Sequence, residues 1–233
     1  MPQPDGEQDR AAGSKTIDGA DAPPVGAGQR VYLGILQELE QHRLIPGRRL
    51  VETDLAARFG VGRNAVREAM QRLAMRGVVD LSPNKSASIR RLGLAQILDV
   101  LDVATEMTSL LARLAARAYE PDRHDALLGT AMEQLTASAH GVELTEFSRA
   151  RRRFYRTLLM ISGSEELGRI FPVISMHIIY SQFQSNRLLQ VRLADYRAIY
   201  DNVRAKDAFA AAAAGRAHVE HVRDIVVSDR AAG

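Results

Sequence analysis

The sequence predicts a mainly α-helical protein in two parts, three short helices with a small hairpin, followed by a bundle of about six or seven helices. Apolar residues recur at helical spacing through most of the 233 residues. Gly and Pro divide the first part into short elements and leave longer uninterrupted segments in the second. The chain has no cysteine, so we expect a globular protein stabilised by its core and not by disulfides.

Positive charge is concentrated in one segment of the chain. Residues 28–91 hold twelve basic and six acidic side chains, residues 1–27 hold two and five, and residues 92–233 hold seventeen of each. A basic segment of domain size is where contacts to polyphosphate are expected, although it also occurs in proteins that bind no nucleic acid. We predict a disordered tail of residues 1–26, an N-terminal domain of residues 27–92 and a helical domain of residues 93–229.

The N-terminal domain contains three predicted helices. The first runs from Gln29 to about His42 and ends at the Pro-Gly turn in "IPGRRL". The second lies in "VETDLAARFG", where Gly60 is placed to cap its C-terminal end. The third is closed by Gly77 and is indicated by apolar residues at i, i+4 and i+7, namely Val66, Met70 and Leu73.

After Gly77 the apolar period changes from that of a helix to that of a strand. Val79, Leu81 and Ile89 predict two short strands around a turn at Ser82-Pro83-Asn84-Lys85. Three helices followed by a hairpin is the order of a winged helix-turn-helix. In a helix-turn-helix the second helix of the motif enters the major groove of DNA.

The first turn of the third helix carries the side chains suited to reading bases. Arg63 and Arg67 are four residues apart, so they project from one face while Val66 faces the core. Arg can pair with guanine through two donors, and Asn64 can pair with adenine. The alternative is a set of solvated arginines without a partner. Lys85 at the tip of the hairpin favours the DNA interpretation.

The stretch "LIPGRRLVETDLAARFGVGRNAVREAMQRLAMRGVVDLSPNKSASI" resembles the N-terminal domain of GntR-type bacterial transcription regulators, with the likeness running from about Val31 to Arg91. The resemblance implies five residues at places that touch DNA: Arg63 and Arg67 in the recognition helix, Thr53 at the start of the supporting helix, and Asn84 and Lys85 in the wing. Gly62 and Ala65 stand where the family usually has Ser and Pro. A Gly cap costs only a few tenths of a kcal/mol relative to Ser, so we expect the helix to remain intact. Because Gly62 has no hydroxyl, we expect a contact with phosphate to be lost.

From Leu94 onward nearly every segment predicts a helix. The predicted breaks lie near Glu120-Pro121, His140-Gly141, Ser162-Gly163 and either Asn186 or Leu193. Two segments, "FYRTLLMISGS" and "DYRAIYDNVRAKDAFAAAAAGRAH", resemble parts of the FCD domain, the effector-binding bundle of FadR-like regulators.

The metal ligands found in many FCD domains are largely replaced in this chain. By the resemblance, one Asp and three His positions correspond to Arg151, Tyr155, Tyr196 and His218. A guanidinium has no acceptor and repels a cation, and a phenol is a poor substitute for imidazole. We therefore expect a bundle without a metal or another cofactor.

The same four residues predict a site for an anion. Arg151 with Tyr155, Tyr196 and His218 would offer one positive charge and three hydrogen-bonding groups, which suits a carboxylate, a phosphate or an acyl thioester. The alternative is a degenerate pocket filled by its own aromatic side chains. The other arginines of the run "RARRRFYR" are expected to spread around their helix toward solvent: Arg149, Arg152, Arg153 and Arg156.

Together these patterns predict a homodimeric transcription regulator that binds double-stranded operator DNA and responds to a small-molecule effector. Repression is the usual mode of the family, and activation or a constitutive regulator with an inert bundle are the alternatives. The sequence has no P-loop, no nucleophile elbow and no H-E-x-x-H motif, so we do not expect an enzyme. Without an apolar run of about 20 residues or a signal-like N-terminus, we expect a cytoplasmic protein with no membrane contact.

Overall fold

The computed structural model describes residues 26–41, 43–81, 87–139, 144–174, 176–183 and 186–231. Apart from Gly26, the predicted tail of residues 1–26 lies outside the described residues, as do the predicted wing residues Asn84 and Lys85. The predicted break at His140-Gly141 lies outside them too. No helix in the described part of the chain is both long and apolar enough to cross a lipid bilayer.

The winged-helix unit follows the predicted order of elements. Its three helices and three strands are α1 (Ala27–Glu40), β1 (Arg49–Leu50), α2 (Glu52–Phe59), α3 (Arg63–Met75), β2 (Val79–Asp80) and β3 (Ala87–Ile89). Gly60 ends α2 in the left-handed conformation, with φ of +61°, which an L-residue with a side chain adopts only with strain. This turn directs the chain from α2 into α3, whose Val66, Met70 and Leu73 are buried as predicted.

The sheet contains a strand that the sequence did not predict. Its order is β1-β3-β2, with antiparallel pairs Arg49↔Ser88 and Val79↔Ile89. The two-residue strand β1 has a single buried apolar side chain, so it lacks the alternation that identifies a strand. The prediction that Leu81 belongs to the strand was wrong, because β2 ends one residue earlier, at Asp80, and Leu81 is exposed.

The second part of the chain is helical, as predicted. Its seven α-helices in the described residues are α4 (Leu94–Ala118), α5 (Pro121–Ala139), α6 (Leu144–Ser162), α7 (Glu165–Ile170), α8 (Met176–Gln182), α9 (Asn186–Arg204) and α10 (Ala208–Ala231), referred to below as the bundle. The breaks at Glu120 and Gly163 are confirmed. Of the two positions predicted for the last break, Asn186 is confirmed because α9 begins there, and Leu193 is wrong because α9 runs through it. A 3₁₀ turn at Phe171–Val173 and the loop before Ala208 were not predicted.

Two hydrophobic clusters form the core. The first joins the winged-helix unit to the bundle by bringing residues of α1 and α3 together with residues of α4, α8 and α10. The second lies among α4, α5, α6, α9 and α10. In the bundle, α4 and α10 approach closely at Gly215, where an added Cβ would lie 2.8 Å from the carbonyl oxygen of Thr108. The winged-helix unit therefore packs against the bundle through α1, which contacts α6 and α8.

Candidate functional sites: a basic helix face and an internal cavity

The first turn of α3 presents its polar side chains to solvent. Arg63, Asn64 and Arg67 are exposed, whereas Val66 and Met70 lie in the core. The structure thus brings the three predicted base-reading residues together on one open surface. Guanidinium and amide groups in this arrangement can reach base edges in a major groove.

Arg67 is paired with a carboxylate of α2. Its Nε donates to Oε2 of Glu52 at 2.9 Å, and both side chains are well exposed. An exposed ion pair contributes about 0–1 kcal/mol, so it can orient the guanidinium and still be exchanged for a contact with DNA. This pair was not predictable from local spacing, because the two residues are fifteen positions apart on different helices.

Thr53 and Gly62 occupy the positions that border this face. Thr53 is exposed on the first turn of α2, and its hydroxyl donates to Oδ1 of Asp54 at 3.4 Å. Gly62 is the N-cap of α3 and makes no side-chain cap, as expected of a residue without a hydroxyl. Thr53 is therefore available at the surface.

A cavity of about 650 Å³ lies where the winged-helix unit meets the bundle. Arg151 and Tyr155 of α6 and His218 of α10 line it. Tyr196 of α9 is fully buried beside them, with its ring centroid 5.7 Å from that of Tyr155 and 4.6 Å from that of His218. The four residues predicted as a ligand-binding group therefore do come together.

Two residues that the sequence analysis did not select join this group. Arg192 of α9 and Tyr180 of α8 line the same cavity. The guanidinium carbon of Arg192 lies 3.8 Å from the centroid of the Tyr180 ring, and that of Arg151 lies 4.8 Å from it, so two cations share one aromatic ring. Arg192 precedes Tyr196 by four residues, and this helical spacing could have placed both on one face from sequence.

The guanidinium groups of Arg151 and Arg192 are short of hydrogen-bond acceptors. Arg192 is only 6% exposed, and its Nε and Nη2 have no hydrogen-bond partner, nor has the buried Nε of Arg151. The hydroxyl of Tyr196 and Nε2 of His218 are also buried and without a partner. None of the described residues that line the cavity is Asp or Glu. Because a buried charge without a counter-ion costs several kcal/mol, this arrangement favours an anion in the cavity.

Asp195 holds two histidines in place at this site. Its Oδ2 lies 3.2 Å from Nδ1 of His218, and its Oδ1 lies 2.9 Å from Nδ1 of His221. Burial opposes ionisation of Asp195, but the two hydrogen bonds lower its pKa below the ordinary value. Burial also lowers the pKa of His218 against the influence of Asp195, and the charges of Arg192 and Arg151 lower it further. His218 therefore stays neutral, with its proton on Nδ1 and a lone pair on Nε2.

The tyrosines at this site stay protonated. Burial raises the pKa of Tyr155 and that of Tyr180 far above neutral pH, and the neighbouring Tyr196 raises both further. Their hydroxyls can therefore donate hydrogen bonds beside the two guanidinium groups. A set dominated by donors matches the oxygens of a carboxylate or phosphate.

These residues do not fit a divalent metal ion. Arg151 and Arg192 bring two permanent positive charges to the cavity, and Tyr155 is a protonated phenol. Nδ1 of His218 is bonded to Asp195, so this imidazole offers a single nitrogen. In the part of the chain that the structure describes, no three His, Asp or Glu side chains are arranged to hold a metal.

The expectation that the other arginines of α6 face solvent needs correction for Arg152, which is half-buried. Arg152 and Arg156 line the cavity with Arg151. Burial, followed by repulsion from Arg156, lowers the pKa of Arg152. Arg149, Arg153 and Arg156 are exposed as expected, although Arg156 also reaches the edge of the cavity. Side chains from more than one face of α6 reach the cavity, because the helix lies at its edge. Helical spacing alone does not show this.

Comparison with known families matches both parts of the chain. The model described as "Bacterial regulatory proteins, gntR family" matches residues 27–89, and the model of the FCD domain matches residues 99–221. These ranges correspond to the winged-helix unit and to most of the bundle.

Individual relatives agree with the family matches. The chain is 28% identical over 207 residues to an HTH-type transcriptional regulator in an unstable DNA locus of Streptomyces ambofaciens, covering 86% of this chain and 85% of the relative. It is 25% identical over 175 residues to the "Probable D-xylose utilization operon transcriptional repressor" of Paenarthrobacter nicotinovorans, covering 74% and 76%. The solved structure of E. coli McbR/YncC has the same fold, with a TM-score of 0.75 at 18% identity over 88% of this chain and 99% of that one.

Proposed function

Because the chain belongs to the GntR family of bacterial regulatory proteins and carries an FCD domain, it is a DNA-binding transcriptional regulator, and we propose that it is a repressor released from its operator by a small organic anion. The observation that carries this proposal is the buried guanidinium of Arg192 beside the half-buried Arg151, each with at least one buried nitrogen that has no hydrogen-bond partner. An anion in the cavity would satisfy those donors and neutralise the charge. No metal is required for binding.

On the DNA side, α3 is the proposed recognition helix. Arg63, Asn64 and Arg67 would read base edges, and Thr53 with the wing residues Asn84 and Lys85 would contact the backbone and minor groove. Two copies of the chain would form a homodimer that binds a pseudo-palindromic operator, because the two-fold axis of a dimer matches a pair of inverted half-sites. The site of action would be cytoplasmic DNA, and the protein would catalyse no reaction.

A second candidate is a constitutive regulator with an inert bundle. The observation that favours it is an aromatic group beside the cavity, in which Tyr155 lies 5.1 Å from Phe171 and 5.7 Å from Tyr196 between ring centroids. In this alternative the rings would have replaced the ligand and the arginines would serve packing alone. The two candidates differ in a measurable property, namely whether any small molecule changes the affinity for the operator.

The test starts from the full chain and random DNA. Selection of bound DNA from a random pool would provide the operator, and fluorescence anisotropy would then report its affinity in the presence of carboxylates, phosphates or amines of similar size. We expect at least one anion and no amine to weaken operator binding by tenfold or more. We also expect Arg151→Met to abolish that response.

The matched control is Arg149→Met, because Arg149 is exposed on the same helix and does not line the cavity. It should respond like the unaltered chain. An operator affinity that no anion changes would support the inert bundle. An equal loss of response in both variants would show that the effect comes from the net charge of α6 and not from the cavity.

A further inference from the structure

The cavity has walls of two kinds. A polar end is formed by Arg151, Tyr155, Tyr180, Arg192 and His218, with the donors and charges described above. Arg76, Arg152 and Arg156 also line the cavity, Arg76 and Arg156 from exposed positions. The remaining wall is largely apolar and includes three residues of the winged-helix unit, Leu36, Leu39 and Val78, and three of the bundle, Leu159, Met160 and Phe183. A ligand that fills this cavity would therefore contact both parts of the chain.

The cavity also separates the two hydrophobic clusters of the core. Leu39 and Tyr180 belong to the first cluster, and Tyr155 and Leu159 to the second, and all four line the cavity. Met160 is exposed, which marks where the cavity reaches the surface. An apolar group placed here would continue the core across a gap that the side chains leave open. Burial of that group from water would favour binding in proportion to its area.

From this geometry we propose that the effector is an amphiphilic organic anion, with its charged end at Arg151 and Arg192 and its apolar body extending to α1. This inference rests on the proposed function, which requires only that an anion bind in the cavity. The volume of about 650 Å³ is within the range of sites that bury a whole ligand of drug size. A small inorganic anion would satisfy the guanidinium groups and leave the apolar wall without a partner.

Contact with α1 gives such a ligand a direct route to the DNA-binding face. Tyr32 of α1 lines the cavity, and its ring lies under the guanidinium of Arg72 on α3, 4.7 Å from the guanidinium carbon. A second link runs through α8, because the side chain of Gln182 accepts from the backbone N–H of Leu92 at 2.8 Å and donates to its carbonyl at 3.2 Å. Leu92 belongs to the segment that joins the winged-helix unit to α4. The apolar body of the ligand therefore acts where α1 and α8 hold the winged-helix unit on the bundle.

The experiment is a series of straight-chain carboxylates measured on the full chain by isothermal titration calorimetry. Butanoate, hexanoate and octanoate share one head group and differ only in apolar length. We expect the Kd to fall about fourfold for each added methylene, the value for full burial of a CH₂ group. Octan-1-ol and octylammonium should bind at least tenfold more weakly than octanoate because they lack the negative charge.

The variant Leu36→Trp tests the position of the apolar body. It should raise the Kd of octanoate about tenfold and leave the Kd of butanoate unchanged, because the larger side chain fills the part of the cavity next to α1. Leu33→Trp is the matched control, since Leu33 is an exposed residue of the same helix and does not line the cavity. Circular dichroism would verify folding, and the series on the unaltered chain stands even if Leu36→Trp does not fold.

The outcomes separate this inference from the proposed function. Equal affinity for all three carboxylates would overturn the amphiphilic ligand while the anion-binding proposal stands. If neither these carboxylates nor any phosphate binds, both proposals fail. The inference would also be overturned if the Kd depended on carboxylate length to the same degree in Leu36→Trp and in Leu33→Trp. That result would place the apolar body of the ligand away from α1.

Discussion

The arginines of α3 and those of the cavity contain the same chemical group in opposite surroundings. The side chain of Arg67 is 61% exposed and paired with Glu52, whereas Arg192 is 6% exposed and has two unpartnered nitrogens. A solvated guanidinium costs almost nothing to keep and is available to a large polyanion. A buried one costs stability until a ligand supplies the negative charge. Exposure therefore indicates which site is suited to DNA and which to a small anion.

The largest expected effect is on stability, from removing a buried charge. Arg192→Met keeps an apolar stem against Tyr180 and Phe147 and removes the guanidinium from above their rings. We expect the free energy of unfolding to rise by about 1–4 kcal/mol, the range for replacing buried charges by apolar residues. We also expect anion binding to be lost. Urea unfolding and calorimetry would measure the two effects on the same protein.

The exposed Arg149→Met is the control, and its free energy of unfolding should change by less than about 0.5 kcal/mol. If Arg192→Met is instead less stable than the unaltered chain, the stacking of Arg192 on Tyr180 and Phe147 is structural. That result would show that the buried guanidinium does not cost stability, and it would favour the inert bundle. Gain of stability with loss of binding is the usual signature of a functional site.

The next largest effect is expected on operator affinity, from the exposed arginines of α3. Arg63→Ala should weaken binding to the selected operator by about 1–3 kcal/mol, because one bidentate contact with a base is lost. Binding to random DNA should change less. Arg30→Ala removes the same charge from an exposed site on α1 and serves as the control. If Arg63→Ala lowers both affinities by one factor, Arg63 contacts phosphate and not base.

The two sites also differ in how far the sequence predicted them. The face of α3 is formed within one helix turn, so local spacing was sufficient to place Arg63 and Arg67 on it. The cavity depends on packing among distant helices. Spacing and resemblance predicted four of its residues, but the pairing of Arg192 with Tyr180 and the walls from α1 depend on contacts between residues far apart in sequence. Strand β1 was missed for the same reason, since only its pairing with β3 defines it.

A smaller effect is expected from the neutral histidine in the cavity. The pKa of His218 lies below its ordinary value of 6.5, so the unfolded chain binds the proton more readily. The stability contributed by this group is complete above pH 6.5 and is lost as pH falls below it, by up to about 1.4 kcal/mol per pH unit. His218→Asn keeps a donor for Asp195 and should remove this part of the pH dependence. Urea unfolding at pH 7.5 and 5.5 would show the difference.

His221→Asn is the control for that experiment, because His221 binds the same carboxylate from a half-exposed position. It should keep the pH dependence of the unaltered chain. If His218→Asn retains the full loss of stability between pH 7.5 and 5.5, another group causes that loss. The buried imidazole of His218 would then contribute no pH dependence of its own.

The smallest expected effect tests the exposed ion pair. Glu52→Gln removes the carboxylate that holds Arg67, and the free energy of unfolding should fall by less than about 1 kcal/mol. DNA affinity should rise a few-fold for two reasons. Arg67 would no longer have to break its ion pair with Glu52 in order to contact DNA, and the repulsion between the Glu52 carboxylate and the phosphates would be removed. Asp54→Asn removes the same charge from the same helix without touching Arg67. A larger gain for Glu52→Gln would assign the effect to the pair, and equal gains would assign it to general charge. A loss of affinity would show that Glu52 orients Arg67 for DNA. The DNA contact of this exposed arginine would then require its carboxylate partner.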